Sequence, residues 1–119
     1  MFKPSGSWVA IPTPFDSNNK IDLGAFKEIV DFHIAHGTNM LFCMGSAGEV
    51  SLLTAEERYA TLPEVVKMCK GRIPVFFGST FPTTEATIKF AQYAEAQGAD
   101  GLVFTAPNYV LPPQSAVKA

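Results

Sequence analysis

Residues 36–46 read HGTNMLFCMGS, and a similar pattern occurs twice more in the chain. Each copy has a glycine at its second position that can end a helix, continues into an apolar run, and finishes in small or hydroxyl-bearing residues. The other two copies are KGRIPVFFGST at 70–80 and QGADGLVFTAP at 97–107. Apolar runs without alternation are typical of strands in a parallel sheet covered by helices. The repeat therefore predicts a series of β/α units.

The segments between the apolar runs carry helix signals. Asp22 precedes apolar residues spaced by three and four, and Gly37 follows them, which predicts a first helix. Thr54 and Glu57 have the spacing of a capping box and predict the start of a second helix. A third helix is predicted from 83 or 84 to 97, before a glycine.

Pro63 lies inside the second predicted helix. An interior proline removes one backbone hydrogen bond and clashes with the preceding turn. We therefore expect this helix to be kinked at Pro63, or broken so that Pro63 opens a second piece.

The predicted order of elements is β, α, β, α, β, α, β, with the first strand in SWVAIPTPF at 7–15. This alternation suits either a (β/α)8 barrel or a doubly wound sheet. The barrel is favoured because each strand ends in a polar loop and no G-x-G-x-x-G follows the first strand. A complete barrel takes about 250 residues. We therefore expect residues 1–119 to be one incomplete domain, the first half of an α/β barrel with four parallel strands and three helices.

Composition argues against several classes of partner. The net charge is −2 and the basic residues are scattered, so no surface for nucleic acid is expected. The apolar stretches fall short of the roughly 20 residues that span a bilayer, and the N-terminus lacks a signal-peptide core. Cys43 and Cys69 are expected to be buried thiols. These features predict a cytoplasmic protein that binds neither membrane nor nucleic acid.

The stretch FCMGSAGEVS at 42–51 places two glycines around Ser46 and Ala47. By themselves the glycines fit an ordinary turn as well as a loop whose backbone approaches an anion. Glu49 is interpreted as a brace for this loop rather than a catalytic carboxylate.

The motif GSAGE at 45–49 resembles a signature of the dihydrodipicolinate synthase and N-acetylneuraminate lyase family of class I aldolases. The resemblance continues through VAIPTPF at 9–15, HGTNMLFCMGSAGEVSLLTAEE at 36–57, GRIPVFFGST at 71–80 and PNYVLPPQ at 107–114. These motifs, in order and in one β/α register, are far more specific than GSAGE alone.

The resemblance implies a lyase built as a (β/α)8 TIM barrel and assembled as a homodimer or homotetramer. A lysine would form a Schiff base with pyruvate, and the enamine would add to, or be released from, an aldehyde. The first implied activity joins pyruvate to aspartate semialdehyde in lysine biosynthesis. N-acetylneuraminate lyase and 2-keto-3-deoxy sugar acid aldolase activities are the alternatives. No cofactor is implied, and no Asp, Glu or His cluster at the predicted strand ends suggests a metal.

The resemblance also implies roles for three residues. Ser46 stands where the family has the hydroxyl of a proton relay, and Ala47 where a second hydroxyl usually meets the pyruvate carboxylate. With Ala47, only backbone N–H groups remain to bind that carboxylate. Tyr109 matches the tyrosine that crosses the dimer to join the relay. The usual Tyr, Asn and Arg around it are replaced by Asn108, Val110 and Leu111, which leaves the aldehyde substrate open.

In the family, the Schiff-base lysine lies on the sixth strand and a proton-handling tyrosine on the fifth. Both are expected outside these 119 residues. Lys118 follows strand four and is not the counterpart of that lysine. The chain alone is therefore expected to be inactive. A non-catalytic half-barrel paralogue and a phosphate-binding barrel are the other hypotheses, the latter disfavoured because GSAG has no adjacent basic residue and follows strand two.

Overall fold

A computed structural model describes residues 4–106 and 113–117 of the chain. Within them the elements are β1 (Trp8–Ala10), α1 (Leu23–Ala35), β2 (Met40–Cys43), a 3-10 turn (Val50–Leu52), α2 (Ala55–Cys69), β3 (Val75–Gly78), α3 (Thr84–Gln97), β4 (Gly101–Val103) and α4 (Gln114–Val117). The predicted alternation is confirmed. The first strand is shorter than expected, because prolines at 12 and 14 cannot donate to a sheet ladder.

The helices begin and end at the residues that carry the capping signals. Asp22 accepts a hydrogen bond from the backbone of the first turn of α1. Thr54 and Glu57 form both bonds of the capping box at the start of α2. Gly98 ends α3 with a φ of 91°, a left-handed conformation that glycine adopts at little cost. Local sequence thus determines where these helices lie.

The four strands form one parallel sheet in the order β1-β2-β3-β4. One face packs against the helices, and the core between them is apolar. Phe26 and Val30 of α1, Leu62 of α2 and Phe90 of α3 are fully buried in this core against strand residues such as Leu41. A sheet whose order follows the sequence, with its helices packed on one face, differs from a doubly wound sheet, in which the strand order reverses.

The opposite face of the sheet is lined by aromatic rings. Trp8 lies 5.9 Å from Phe42 and 5.2 Å from Phe76, measured between ring centroids. Gly101 fits beside Phe76, because an added Cβ would come within 2.2 Å of its ring. This face is the one that would point into a closed barrel.

The helix α2 is not broken at Pro63, which corrects one of the two outcomes expected from the sequence. It runs from Ala55 to Cys69 as a single helix. Pro63 has no N–H to donate to the carbonyl of Tyr59 four residues earlier. Instead, the hydroxyl of Tyr93 on α3 donates to that carbonyl at 3.0 Å. A neighbouring helix thus satisfies the acceptor that the proline leaves open.

Replacing Tyr93 with phenylalanine should destabilise the full-length protein by about 1 to 3 kcal/mol, the cost of leaving a part-buried acceptor unpaired. In a Pro63→Ala background the same change should cost clearly less, since the introduced alanine would supply the missing N–H. Urea unfolding of the two single variants and the double variant measures this coupling. Equal losses in both backgrounds would contradict the compensation.

Among the residues that the structure describes, no helix is both long and apolar enough to cross a membrane.

Candidate active site

The 45–49 turn follows β2 at the carboxyl edge of the sheet, where parallel α/β folds bind ligands. Its backbone closes on itself. Gly48 donates to the carbonyl of Gly45, and Glu49 donates to the carbonyl of Ser46, each at 3.1 Å. The turn therefore has a fixed shape without help from its side chains.

Ser46 and Ala47 lie exposed at the tip of this turn. Within residues 4–106 and 113–117, neither of their amide N–H groups makes a hydrogen bond, and neither does the Ser46 hydroxyl. Successive free N–H groups in a turn form an anion-binding concavity. The arrangement can accept a carboxylate and present a hydroxyl beside it.

Met44 precedes the turn and Glu49 is its last residue, and both lie in the left-handed region with a φ of 54°. Residues other than glycine rarely adopt this conformation, and it persists only where packing enforces it. Met44 is fully buried. The strain is consistent with a turn shaped for a ligand. Glu49 takes part in the turn through its backbone N–H, and its interpretation as a brace stays a prediction.

Thr13 connects the end of β1 to this turn. Its buried hydroxyl donates to the carbonyl of Gly48 at 2.7 Å. Gly48 itself has little space, because an added Cβ would lie 3.2 Å from the Thr13 oxygen. The first two strand ends are thus fixed to one another.

Gly78 connects the end of β3 to the same turn by close backbone packing. A Cβ on Gly78 would lie 1.9 Å from the carbonyl oxygen of Met44. Only glycine permits this approach. The residue that enters the turn is therefore held directly against β3.

Thr80 connects the ends of β3 and β4. Its hydroxyl oxygen accepts a bond from the backbone N–H of Thr105 at 2.8 Å and lies 3.2 Å from the Thr105 hydroxyl. Together with the contacts of Thr13 and Gly78, this hydrogen bond connects the ends of all four strands, each to the next in sequence.

Arg58 of α2 reaches the loop after β3 from the outer layer. Its guanidinium donates to the carbonyls of Gly78 at 2.9 Å and Thr80 at 3.0 Å. It also lies over the ring of Phe81, 3.6 Å from the centroid. Burial lowers the pKa of Arg58 to about 10, so the group stays protonated at neutral pH.

Of the predicted site residues, the structure places Ser46 and Ala47 together at the turn. Tyr109 lies outside the described residues, as do the substituted positions Asn108, Val110 and Leu111 and the terminal Lys118. The roles of Ser46, Ala47 and Tyr109 remain predictions at this point.

Cys43 and Cys69 are buried free thiols, as predicted. Burial raises the pKa of Cys69 to about 12 and that of Cys43 well above its ordinary value. Neither is a nucleophile at neutral pH. In the part of the chain that the structure describes, no group of three or more His, Cys, Asp or Glu residues has the geometry of a metal site.

Four residues that connect the strand ends were not predicted from the sequence, namely Thr13, Arg58, Thr80 and Thr105. Arg58 had a detectable signal, since it shares the spacing of three and four with Leu62 and the other buried residues of α2. The threonines carried a weaker signal, a hydroxyl directly after an apolar strand.

The Dihydrodipicolinate synthetase family matches residues 3–119. A 4-hydroxy-tetrahydrodipicolinate synthase from Alkaliphilus oremlandii is 41% identical over 109 residues, covering 92% of this chain and 37% of that protein. A probable 2-dehydro-3-deoxy-D-pentonate aldolase from Escherichia coli is 38% identical, with 92% and 36% covered. The chain thus spans under two fifths of the length of these relatives.

Solved structures give the same result for the fold. Dihydrodipicolinate synthase from Aquifex aeolicus superposes with a TM-score of 0.90 at 33% identity, covering 94% of this chain and 38% of that one. A prophage protein of the dihydrodipicolinic acid synthase family from E. coli K12, crystallised with pyruvate, gives 0.90 at 31% identity, with 94% and 38% covered. The prediction that the fold is the first half of a (β/α)8 barrel is confirmed.

Proposed function

Because the chain belongs to the dihydrodipicolinate synthetase family, we propose that it is the N-terminal part of a lyase that forms a Schiff base with pyruvate and joins it to aspartate semialdehyde. That reaction makes 4-hydroxy-tetrahydrodipicolinate for lysine biosynthesis. The Schiff-base lysine and the fifth-strand tyrosine lie beyond these 119 residues in this proposal, which makes the 119-residue chain inactive by itself.

The exposed tip of the 45–49 turn, at Ser46 and Ala47, carries the proposal. Its free N–H groups at Ser46 and Ala47 suit the carboxylate of pyruvate, a small anion. A family member crystallised with pyruvate supports this choice of ligand.

Ser46 and Tyr109 are the proposed catalytic residues of this part of the chain. Formation and breakdown of a Schiff base require protons to enter and leave the carbinolamine. The hydroxyl of Ser46, free of partners among the described residues, can take a proton on one side and give one on the other. Tyr109 is the second member of this relay and is contributed across a dimer, so we propose a homodimer or homotetramer.

A 2-keto-3-deoxy sugar acid aldolase is the second candidate. The relative from E. coli with that class of activity is nearly as similar as the synthases. The changed positions around Tyr109 also alter residues that would border the aldehyde. Assays of the full-length protein with pyruvate and aspartate semialdehyde, and in parallel with 2-keto-3-deoxy sugar acids, separate the two.

We also propose a cytoplasmic location. Two buried, unpaired thiols fit a reducing compartment.

Incubating the full-length protein with pyruvate and sodium borohydride should leave a stable covalent adduct on one lysine, since borohydride reduces the Schiff base. Mass spectrometry of the intact protein and its peptides gives the mass and the position. The 119-residue chain serves as the control and should remain unmodified. Absence of an adduct on folded full-length protein would refute the aldolase function. An adduct on the short chain would refute the proposal that the Schiff-base lysine lies outside these 119 residues.

A further inference from the structure

Thr13 lies just after β1 and is buried, with only 5% of it exposed. Its hydroxyl donates to the carbonyl of Gly48 at 2.7 Å, across 35 residues of sequence. A buried threonine bonded to a carbonyl is common in proteins, because a buried hydroxyl needs a partner. The peptide unit that receives this bond distinguishes Thr13, since it belongs to the turn that carries the free N–H groups.

The carbonyl of Gly48 and the N–H of Glu49 belong to one peptide unit. A trans peptide is planar, so these two groups point in opposite directions and rotate together. Thr13 holds the carbonyl, and the N–H donates to the carbonyl of Ser46 at 3.1 Å. The peptide unit is therefore fixed at both ends, and Thr13 supplies one of the two bonds.

The same geometry extends one step further, to the N–H of Ala47. This N–H shares a peptide unit with the carbonyl of Ser46, which the bond from Glu49 holds in place. The N–H of Ala47 therefore points the opposite way, and it makes no hydrogen bond among the described residues. A donor at the end of a series of hydrogen bonds is also polarised by the bonds behind it. Thr13 thus orients an N–H that it does not touch.

The N–H of Ser46 is oriented separately. It shares a peptide unit with the carbonyl of Gly45, which accepts a bond from the N–H of Gly48 at 3.1 Å. That bond does not involve Thr13. Loss of the Thr13 hydroxyl should therefore release the N–H of Ala47, while the N–H of Ser46 stays fixed.

We propose that Thr13 is a positioning residue for substrate, whose hydroxyl aims the N–H of Ala47 at the carboxylate of pyruvate through two peptide units. The inference rests on the proposed function and concerns the affinity for pyruvate rather than the proton relay. Ala47 has no side-chain hydroxyl, so its backbone N–H is the only donor that this residue offers. Hydrogen bonds from an N–H to a carboxylate are stronger than neutral ones and weaken steeply when they are misaligned.

The test measures borohydride trapping of the full-length protein over a range of pyruvate concentrations. Thr13→Val keeps the shape of the side chain and loses the hydroxyl. We expect the pyruvate concentration for half-maximal trapping to rise about 5 to 30-fold, with the maximal extent of trapping unchanged. Steady-state kinetics with the accepted aldehyde should show the same split, a higher KM for pyruvate with kcat within about 3-fold of the wild type.

Thr13→Ser and Tyr93→Phe are the controls. Thr13→Ser keeps the hydroxyl, so its half-maximal concentration should lie within about 3-fold of the wild-type value. Tyr93→Phe also removes a hydroxyl that donates to a backbone carbonyl, at 3.0 Å, but between α2 and α3. Its half-maximal concentration should stay within about 2-fold of the wild-type value, which separates an effect on the turn from a general loss of stability.

A folded Thr13→Val variant with the wild-type half-maximal concentration would overturn the inference. A Thr13→Ser variant impaired as much as Thr13→Val would do the same, because the hydroxyl would then not be the group that matters. Circular dichroism follows folding, and Thr13→Ala replaces Thr13→Val if the latter does not fold. Failure of both to fold would also overturn the inference, since Thr13 would then support the fold rather than the turn.

The wild-type protein tests the proposed function in the same experiment. Absence of an adduct on it at every pyruvate concentration would refute the Schiff-base function itself. Wild-type trapping with an unchanged Thr13→Val variant would refute only the role of Thr13, so the two failures are distinguishable.

Discussion

Replacing Ser46 with alanine in the full-length protein should lower kcat by about 10 to 10³-fold, in line with the loss of one carrier of the proposed proton relay. The fold should be unchanged, because the Ser46 side chain is exposed and makes no hydrogen bond among the described residues. Tyr109→Phe should give a loss of similar size. Steady-state kinetics with pyruvate and the accepted aldehyde measure both.

The double variant decides whether the two hydroxyls share one relay. Members of a relay act as a unit, so Ser46→Ala with Tyr109→Phe should be scarcely slower than the slower single variant. Ser51→Ala is the matched control, because Ser51 is an exposed serine in the following 3-10 turn. Sedimentation checks that Tyr109→Phe remains oligomeric. Fully multiplicative losses in an intact oligomer would remove Ser46 and Tyr109 from a common relay.

Replacing Gly78 with alanine should destabilise the protein by about 3 kcal/mol or more and abolish most activity. The new methyl group would lie 1.9 Å from the backbone carbonyl oxygen of Met44. Gly78 is the last residue of β3 and Met44 directly follows β2, so neither backbone can easily move away. Overpacking of this kind forces backbone shifts that typically cost about 1 to 3 kcal/mol, and more where neither side can yield. Chemical denaturation gives the free energy of unfolding, and a fall in kcat from steady-state kinetics indicates that the 45–49 turn is displaced.

Gly24→Ala is the control for the change of residue type. Gly24 lies in the first turn of α1, where an added Cβ would meet only the Asp22 carboxylate oxygen at 3.2 Å. Alanine should change stability there by less than about 1 kcal/mol. A Gly78→Ala variant as stable and active as Gly24→Ala would show that β3 and the turn are not in fixed contact.

The sequence was sufficient for the parts of the fold that depend on local rules. Asp22, Thr54 and Gly98 carry chemistry that starts or ends a helix wherever it occurs, and each does so here. The apolar strands were equally clear, because burial on both faces leaves a continuous run in the sequence.

The sequence was insufficient where a distant residue compensates for a local conflict. Pro63 is unfavourable in any isolated helix, and nothing near it in sequence indicates that Tyr93 would satisfy the carbonyl of Tyr59. The contacts of Arg58 could not be predicted for the same reason, because the two carbonyls to which it donates, those of Gly78 and Thr80, lie 20 and 22 residues away in sequence. The turn was identified through the resemblance of GSAGE, whereas its links to Thr13 and Gly78 depend on the register between strands.

The sheet order has a consequence for synthesis on the ribosome. In the described part of the chain, each strand pairs only with its neighbours in sequence. A nascent chain can therefore add one β/α unit after another, since the partner of each new strand has already been translated and the loop to be closed is short. The outer edge of β4 is then unpaired and available to pair with the next strand to be synthesised. A pause in translation at this point would expose an apolar, unpaired edge to other nascent chains.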